Sequence, residues 1–414
     1  MKKKEEIMED ENIDTTKEIV TIKKEGFSYP EMVIIMIIAI LFGFLIGNVV
    51  SFTKKETTNS SVPSELKEFV DTYNDIVNNY YDKVNKEELI DAGIKGMINY
   101  LDDPYATYFD GTSSTNFNQT LEGNYEGIGI EVTLDNKKVK INKVFADTPA
   151  KKAGIKVGDY ITKVNGESVE GKSLSDVVSL IKNAKNKEVE ITITRDNQEK
   201  TMKVTRTTVD MPYTSSKVYE ENGKKIGYLK IEMFSNNITK QVKKELESLK
   251  KKNIDKLVID VRDNPGGYLT QVTEILSLFM TKKDVIYQLQ TKNNKEKVYS
   301  TSSKATYSYP VVVLINENSA SASEILASAF KETYNAEIVG VNSYGKGTVQ
   351  KTGDLNNGDT IKYTVQKWLT PKGNWINEKG VTPTKEVKLE LKENETLTED
   401  NDNQLKAAIE LASK

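Results

Sequence analysis

The spacing of apolar residues changes character along the chain, and each change predicts a different element. From Met32 to Thr53 runs MVIIMIIAILFGFLIGNVVSFT, 22 residues without a charge, which matches the ~20 residues a helix needs to cross a bilayer core. A transmembrane helix is expected there rather than a cleaved signal peptide. The apolar run exceeds a usual signal core, 31 largely hydrophilic residues precede it, and no A-x-A site follows. Lys17, Lys23 and Lys24 before the span and Lys54 and Lys55 after it nearly balance, so charge bias leaves the orientation open. After the polar stretch KKETTNSSVP, apolar residues recur at helical spacing in Leu66, Phe69, Tyr73, Ile76, Val77 and Tyr80, and again from Leu89 to Leu101. The Asp-Pro step in LDDPYATYF then marks a turn.

From about Asn118 the period shortens. YEGIGIEVTL, KVKINKVF and VEITITR read as strands, with one helical pattern in LSDVVSLIKNA. Beyond a loop at Met211 to Tyr213 the strands KKIGYLKIEMF, KLVIDVRDN and YPVVVLINEN become continuously apolar. They alternate with helical patterns in ITKQVKKELESLKKKN, YLTQVTEILSLFM and SASEILASAFKETY, the signature of buried, largely parallel strands in an α/β sheet. The stretch DTIKYTVQKWLTPKGNWINEKGVTPTKEV is rich in β formers and turns.

Composition narrows the chemistry. The 414 residues suggest two or three domains, and a net charge of −3 with interspersed lysines and acids gives no sign of nucleic-acid binding. The chain has no histidine and no cysteine, which excludes a Ser-His-Asp triad, a thiolate nucleophile, disulfides and zinc sites of the imidazole or thiolate kind. Acid–base chemistry near neutral pH then falls to Lys, Asp, Glu or Tyr with shifted pKa. No Asp/Glu cluster has ligand-like spacing, so neither a metal nor another cofactor is expected.

The stretch NENSASASEILASAF places Ser319, Ser321 and Ser323 where a buried strand hands over to a helix. Free N–H groups at a helix N-terminus favour developing negative charge, so a serine there could attack while a neighbouring N–H holds the oxyanion. By itself the pattern reads more readily as small packing residues with one serine capping the helix. GVNSYGKGTVQ is a near miss to a phosphate-binding loop, with Gly347 where a Ser or Thr would be needed. A lysine in such a segment suits another role, because an amine held in an apolar pocket can be neutral and accept a proton from serine. With an ordinary pKa of about 10.4, only on the order of 0.1% of lysine is neutral near pH 7.4, so a drop of about 3 units is required.

Two resemblances add to this reading. The order of strands and turns around GIGI and AGIKVGDYITKVNGESV resembles a PDZ domain over nearly its full length. This implies that Glu126, Gly127, Ile128 and Gly129 receive a peptide's C-terminal carboxylate, although the glycines could simply mark a bulge. Together with LVIDVRDNPGGYL, the S-A-S-A-S-E stretch, the G-K-G segment and YTVQKWLTPKGNWINEKGVTP, the chain resembles the carboxyl-terminal processing proteases from about residue 64 to Val387. The resemblance implies Ser321 as nucleophile, Lys346 as general base, Gln350 orienting that lysine, and an oxyanion hole from Ala322 with Gly266 or Gly267. Asp263 departs from the asparagine commoner in that family, and a carboxylate there is unhelpful unless it points away.

The expected organisation is a polar tail (1–31), transmembrane helix (32–53), linker (54–63), helical region (64–116), PDZ domain (117–207), α/β protease core with a mixed sheet (208–390) and C-terminal helical segment (391–414). The resemblance places the catalytic region of a single-pass cell-membrane protein on the extracytoplasmic side. Protein or peptide substrates with free C-termini are the expected partners, together with the membrane and a homodimer contact through the N-terminal helices. The rival reading is a catalytically silent, membrane-anchored PDZ module that captures protein C-termini.

Overall fold

The computed structural model describes residues 63–182, 184–392 and 395–414. The expected span over 32–53 and the polar tail lie outside these residues, and among the described residues no helix is long and apolar enough to cross a membrane. Residues up to Leu89 form one unit and Ile90–Lys414 a second. In the first, helix α1 (Lys67–Asn79) has no buried residue, and its apolar Phe69 and Ile76 remain exposed. Helix α2 (Lys86–Tyr100) begins in the first unit and ends in the second.

In the second unit β1 (Thr107–Phe109) is followed by α3 (Gly111–Glu122). Asp110 caps α3 by accepting from the Ser113 N–H at 2.9 Å, and Gly123, at φ +71°, closes it in the left-handed conformation. The sequence predicts two helices before LDDPYATYF and strands from about Asn118, so α3 was not expected and it runs past the 116/117 boundary; its Thr, Ser and Asn are weak helix formers. Tertiary contact decides otherwise, since Phe117 stacks on Phe109 with ring centroids 4.6 Å apart.

Strand β2 (Asn124–Gly127) then enters an inserted β-rich module. Its further elements are β3 (Ile130–Asp135), β4 (Lys138–Val144), α4 (Pro149–Lys152), β5 (Tyr160–Val164), β6 (Glu167–Ser168), α5 (Leu174–Lys182), β7 (Glu188–Arg195) and β8 (Gln198–Thr205). The chain leaves through β9 (Thr207–Asp210), which pairs antiparallel with β2, so the two crossings lie side by side. The order β3-β4-β5-β7-β8, with β6 on β5, encloses its own core, including Ile141, Ile155, Val177, Val189, Ile191 and Ile193.

The remaining chain supplies β10 (Thr214–Glu221), β11 (Lys224–Ile231), α6 (Ile238–Lys251), β12 (Lys256–Asp260), α7 (Leu269–Leu276), β13 (Val285–Gln290), β14 (Lys295–Tyr299), β15 (Val311–Ile315), α8 (Ala322–Glu332), β16 (Glu337–Gly340), β17 (Thr348–Asp354), β18 (Thr360–Leu369), β19 (Lys385–Glu386) and α9 (Asn403–Ser413). A six-stranded sheet runs β10-β11-β12-β15-β16-β19, parallel except for the antiparallel edge pair β10–β11. VVVLI of β15 is buried throughout, as a central parallel strand covered on both faces must be. One face packs against α6, α7 and α8, with Ile238, Val242, Leu246 and Leu249 forming the apolar stripe of α6. The other takes Leu405, Ala408, Ile409 and Ala412 of α9 against Val258, Val312, Leu314 and Val339. A second, antiparallel sheet is organised by β18, which pairs with β17, β1 and β13. Neither β10 nor the β13–β14 hairpin was expected, because VIYQLQ and KEKVY mix polar and apolar residues without clean alternation.

A buried ion cluster joins α9 to the end of β12. Arg262 Nη2 lies 2.7 Å from both Asp260 and Asp402, and its Nη1 donates to Asp402 and Gln404. Burial opposes the guanidinium charge, but Asp402 and Asp260 outweigh it and hold Arg262 above its ordinary range. The chain that leaves this anchor forms the Asn264–Gly267 turn.

Candidate active site

Three loops at the carboxyl ends of the parallel strands meet, following β12, β15 and β16. This is where open α/β sheets present ligand sites. The first carries Asn264, fully buried, whose Nδ2 donates to Ile231 O at 2.9 Å and whose Oδ1 accepts from the Gly266 N–H at 2.9 Å. Gly266 and Gly267 sit at φ +106° and +142°, and neither tolerates a side chain. A Cβ at 266 would meet Ser321 Cβ at 2.8 Å, and one at 267 would meet Phe234 O at 2.2 Å.

The second loop ends at Ser321, the N-cap of α8, with φ 54° and ψ −114°. That is a sparsely populated conformation for a non-glycine residue, and such positions persist only where the surroundings over-determine them. Here the surroundings are explicit. Ser319 Oγ donates to Val261 O at 2.8 Å, Ser323 Oγ donates to Asn264 O at 2.8 Å, and the Ala320 N–H donates to Asn264 O at 3.0 Å. The flanking serines therefore lace the loop to the Asn264–Gly267 turn.

In the third loop, Lys346 lies between Gly345, at φ +90°, and Gly347, where a Cβ would meet Trp375 Nε1 at 2.7 Å. Trp368 Nε1 donates to Lys346 O at 2.7 Å and Trp375 Nε1 to Gly347 O at 2.9 Å, so two successive carbonyls, from the lysine onward, are held by indoles. The lysine side chain lies 4.9 Å from the centroid of the Tyr105 ring. Burial is the main cause that brings Lys346 down to about 8, Lys362 adds to it, and Glu324 and Asp103 oppose it. At that value about a fifth of the amine is neutral near pH 7.4.

One residue of the S-A-S-A-S-E stretch, with no role expected from sequence, binds the loops together. Glu324, fully buried, accepts through Oε1 from Ser343 Oγ at 2.6 Å and the Gly345 N–H at 2.7 Å. Through Oε2 it accepts from the Lys346 N–H at 2.9 Å and the Ser321 N–H at 2.8 Å. Burial raises its pKa, with the four hydrogen bonds offsetting part of that rise. A single carboxylate thus connects the backbones of Ser321 and Lys346. The signal was a glutamate three residues after a helix-capping serine, but its partners at 343–346 were not legible in sequence.

Ser321, Lys346, Gln350, Gly266 and Gly267 all line one cleft of about 480 Å³, with Phe117, Leu121, Met233, Tyr268 and Lys362 among its other walls. Two details depart from the expected roles. The Gly266 N–H is spent on Asn264, so of the two glycines only Gly267, with Ala322 at the first turn of α8, keeps an N–H without an acceptor among the described residues. Gln350 Nε2 donates to Thr348 Oγ1 and Thr364 Oγ1 at 2.8 and 3.1 Å, and the expected bond to Lys346 is not formed. Asp263 turns aside, its Oδ1 accepting from Asn316 and Asn318 at 2.8 Å each, outside the cleft lining. Among the described residues no three His, Cys, Asp or Glu side chains converge as metal ligands would.

In the inserted module Gly127, Ile128 and Gly129 line a small pocket of about 40 Å³ with Tyr125, Ile130, Val132, Val178, Ile181 and Lys182. Glu126 does not line it and lies 3.9 Å from Arg206. A Cβ at Gly127 would meet the Tyr125 ring at 2.4 Å, and Gly129 takes φ +86°.

Residues 225–387 match the family model of peptidase family S41, 127–205 match a PDZ domain, and 47–113 match the N-terminal domain of the activating protease CtpB. The chain is 41% identical over 318 residues to the carboxy-terminal processing protease CtpB of Bacillus subtilis, covering 76% of this chain and 66% of that protein. It is 36% identical to CtpA of the same organism, covering 84% of this chain and 73% of that one. Among solved structures, the photosystem II D1 C-terminal processing protease aligns over 79% of this chain and 94% of that chain, at 26% identity and a TM-score of 0.45. By its family-model matches and its CtpB and CtpA relatives, the chain belongs to the carboxyl-terminal processing proteases, serine peptidases of family S41 that carry a PDZ domain.

Proposed function

We propose that the chain is a membrane-anchored endopeptidase that cleaves proteins near their C-terminal tails with a Ser321–Lys346 dyad. The observation that carries this reading is the convergence of Ser321 and a desolvated Lys346 on one cleft, their backbones joined through Glu324. The substrate's C-terminal carboxylate docks at Gly127–Gly129, and the chain upstream lies extended across the cleft. Neutral Lys346 takes the Ser321 hydroxyl proton as Oγ attacks the scissile carbonyl, while the N–H groups of Ala322 and Gly267 receive the oxyanion. The resulting ammonium returns the proton to the leaving amine, leaving an ester on Ser321. Water, deprotonated by the same lysine, then releases the acid. The expected span over 32–53 holds the unit to the membrane with its catalytic region extracytoplasmic, and the helices beyond it are candidates for a homodimer contact.

The test is turnover of an unfolded protein by the chain and by its Ser321→Ala and Lys346→Ala variants. Each variant should lose roughly 10³-fold or more in kcat, and the double variant little further, because the pair acts as a unit. Retained turnover in either folded variant removes the dyad.

A further inference from the structure

The cleft contains a second lysine for which the dyad has no use. Lys362 lies on β18, opposite Thr352 of β17 on one side and Thr107 of β1 on the other, and it lines the cleft with Lys346, Gln350 and Thr352. No Asp or Glu lines that cleft. The Lys362 ammonium sits 5.3 Å from the ring centroids of both Phe109 and Phe117, the stacked pair contributed by β1 and α3. Two aromatic faces favour a cation over a neutral amine. This arrangement therefore favours a positive charge at the cleft wall, where no carboxylate is among the lining residues, and a fixed cation beside an amine favours that amine's neutral form.

Resting on the dyad reading, we propose that Lys362, held as a cation on the Phe109–Phe117 stack, keeps Lys346 in its neutral, proton-accepting form by repulsion across the cleft. The groups that face Lys346 are Lys362 from β18, Glu324 from α8, and Asp103 and Tyr105 from the segment before β1. Of these charged groups only Lys362 pushes toward neutrality, while Glu324 and Asp103 pull toward the ammonium. Burial lowers Lys362 as well, and Asp103 opposes that shift. Burial weighs on both lysines, and the rings favour keeping the charge on Lys362.

The experiment reads the amine directly, independently of activity. In the Ser321→Ala chain, the pH dependence of Lys346 carbamylation by cyanate, followed by peptide mass spectrometry, reports its neutral fraction. Lys362→Gln and Lys362→Met should each move that profile up by about half a pH unit or more, roughly a threefold loss of neutral amine on its acid side. Lys362→Arg should restore it, since the charge and the ring contacts are kept. An unchanged profile in the folded Gln and Met variants overturns the proposal, as does a shift that Arg does not rescue. The acid limb of kcat/KM in the chain with Ser321 intact separates the two readings. If labelling moves and the limb does not, Lys362 tunes Lys346 but Lys346 is not the base.

Discussion

The serine–lysine cleft and the Tyr125–Gly129 loop of the PDZ domain both rely on glycines and backbone N–H groups, yet they are held in different ways. The cleft is assembled from segments around 264, 321 and 346, braced by buried polar side chains of Asn264, Ser319, Ser323 and Glu324. The PDZ loop is held by backbone pairing, through the β2–β9 ladder below and the Phe145 and Ala150 N–H groups donating to Gly129 O and Ile128 O. The first is an open cleft of about 480 Å³ and the second a slot of about 40 Å³ beside the Tyr125 ring. Buried charge-assisted bonds fix a geometry because breaking any one strands its partners without water. A slot closed by one aromatic side chain can instead open by rotation of that ring. On the proposed function, the cleft is braced before substrate arrives, whereas the slot would take a peptide only after Tyr125 moves.

The strongest challenge to this contrast is Glu324→Ala. It leaves four donors from 321, 343, 345 and 346 without their acceptor, so a loss of at least about 3 kcal/mol of stability is expected, with turnover abolished. Denaturant unfolding checks the first and kcat the second, and a variant close to the parent in both would mean that the loops do not need their brace. Gly266→Ala comes next. Its Cβ presses on Ser321 Cβ and Ala320 O from a φ of +106°, and we expect at least a hundredfold fall in kcat with a smaller stability loss, since the damage is local to the nucleophile's turn.

The pH dependence sharpens the comparison from the cleft side. Lys346 is depressed to about 8, so kcat/KM should climb as pH rises through that value and then level off. Folding disfavours the ammonium, so the unfolded chain binds more protons between about 8 and 10.5. Stability should gain from this group as pH rises through that window. Lys346→Met should remove both the limb and the gain, as measured by rate profiles and by unfolding at pH 7.5 and 10.

The smallest effect belongs to the PDZ slot. A peptide amidated at its C-terminus loses charge-assisted bonds of about 1.5 to 3 kcal/mol each, and its binding to the intact chain should weaken about tenfold. Gly127→Val should imitate this without altering the cleft. Equal binding and cleavage of acid and amide forms would withdraw the carboxylate-reading role and leave the cleft's predictions untouched.

The sequence by itself determined the alternation of β11, β12 and β15 with α6, α7 and α8, because VVVLI, KLVID and the stripe of α6 carry the periodicities that burial imposes. Ser321, Lys346 and Gly127–Gly129 were named through the family resemblance that their motifs carry, since the serine pattern by itself reads as packing and capping. Only the tertiary structure decided the rest. The Gly266 N–H faces Asn264, Gln350 turns to two threonines, Asp263 turns aside to Asn316 and Asn318, and α3 extends to Glu122 on the strength of a ring stack. Glu324 takes its role from donors at 343–346 as well as from Ser321, and Lys362 from Lys346 and the Phe109–Phe117 rings, partners 16 or more positions away except for Ser321. A pattern of spacing records which face of an element is buried, but a hydrogen bond or a field between distant segments exists only once packing has brought them within a few ångströms.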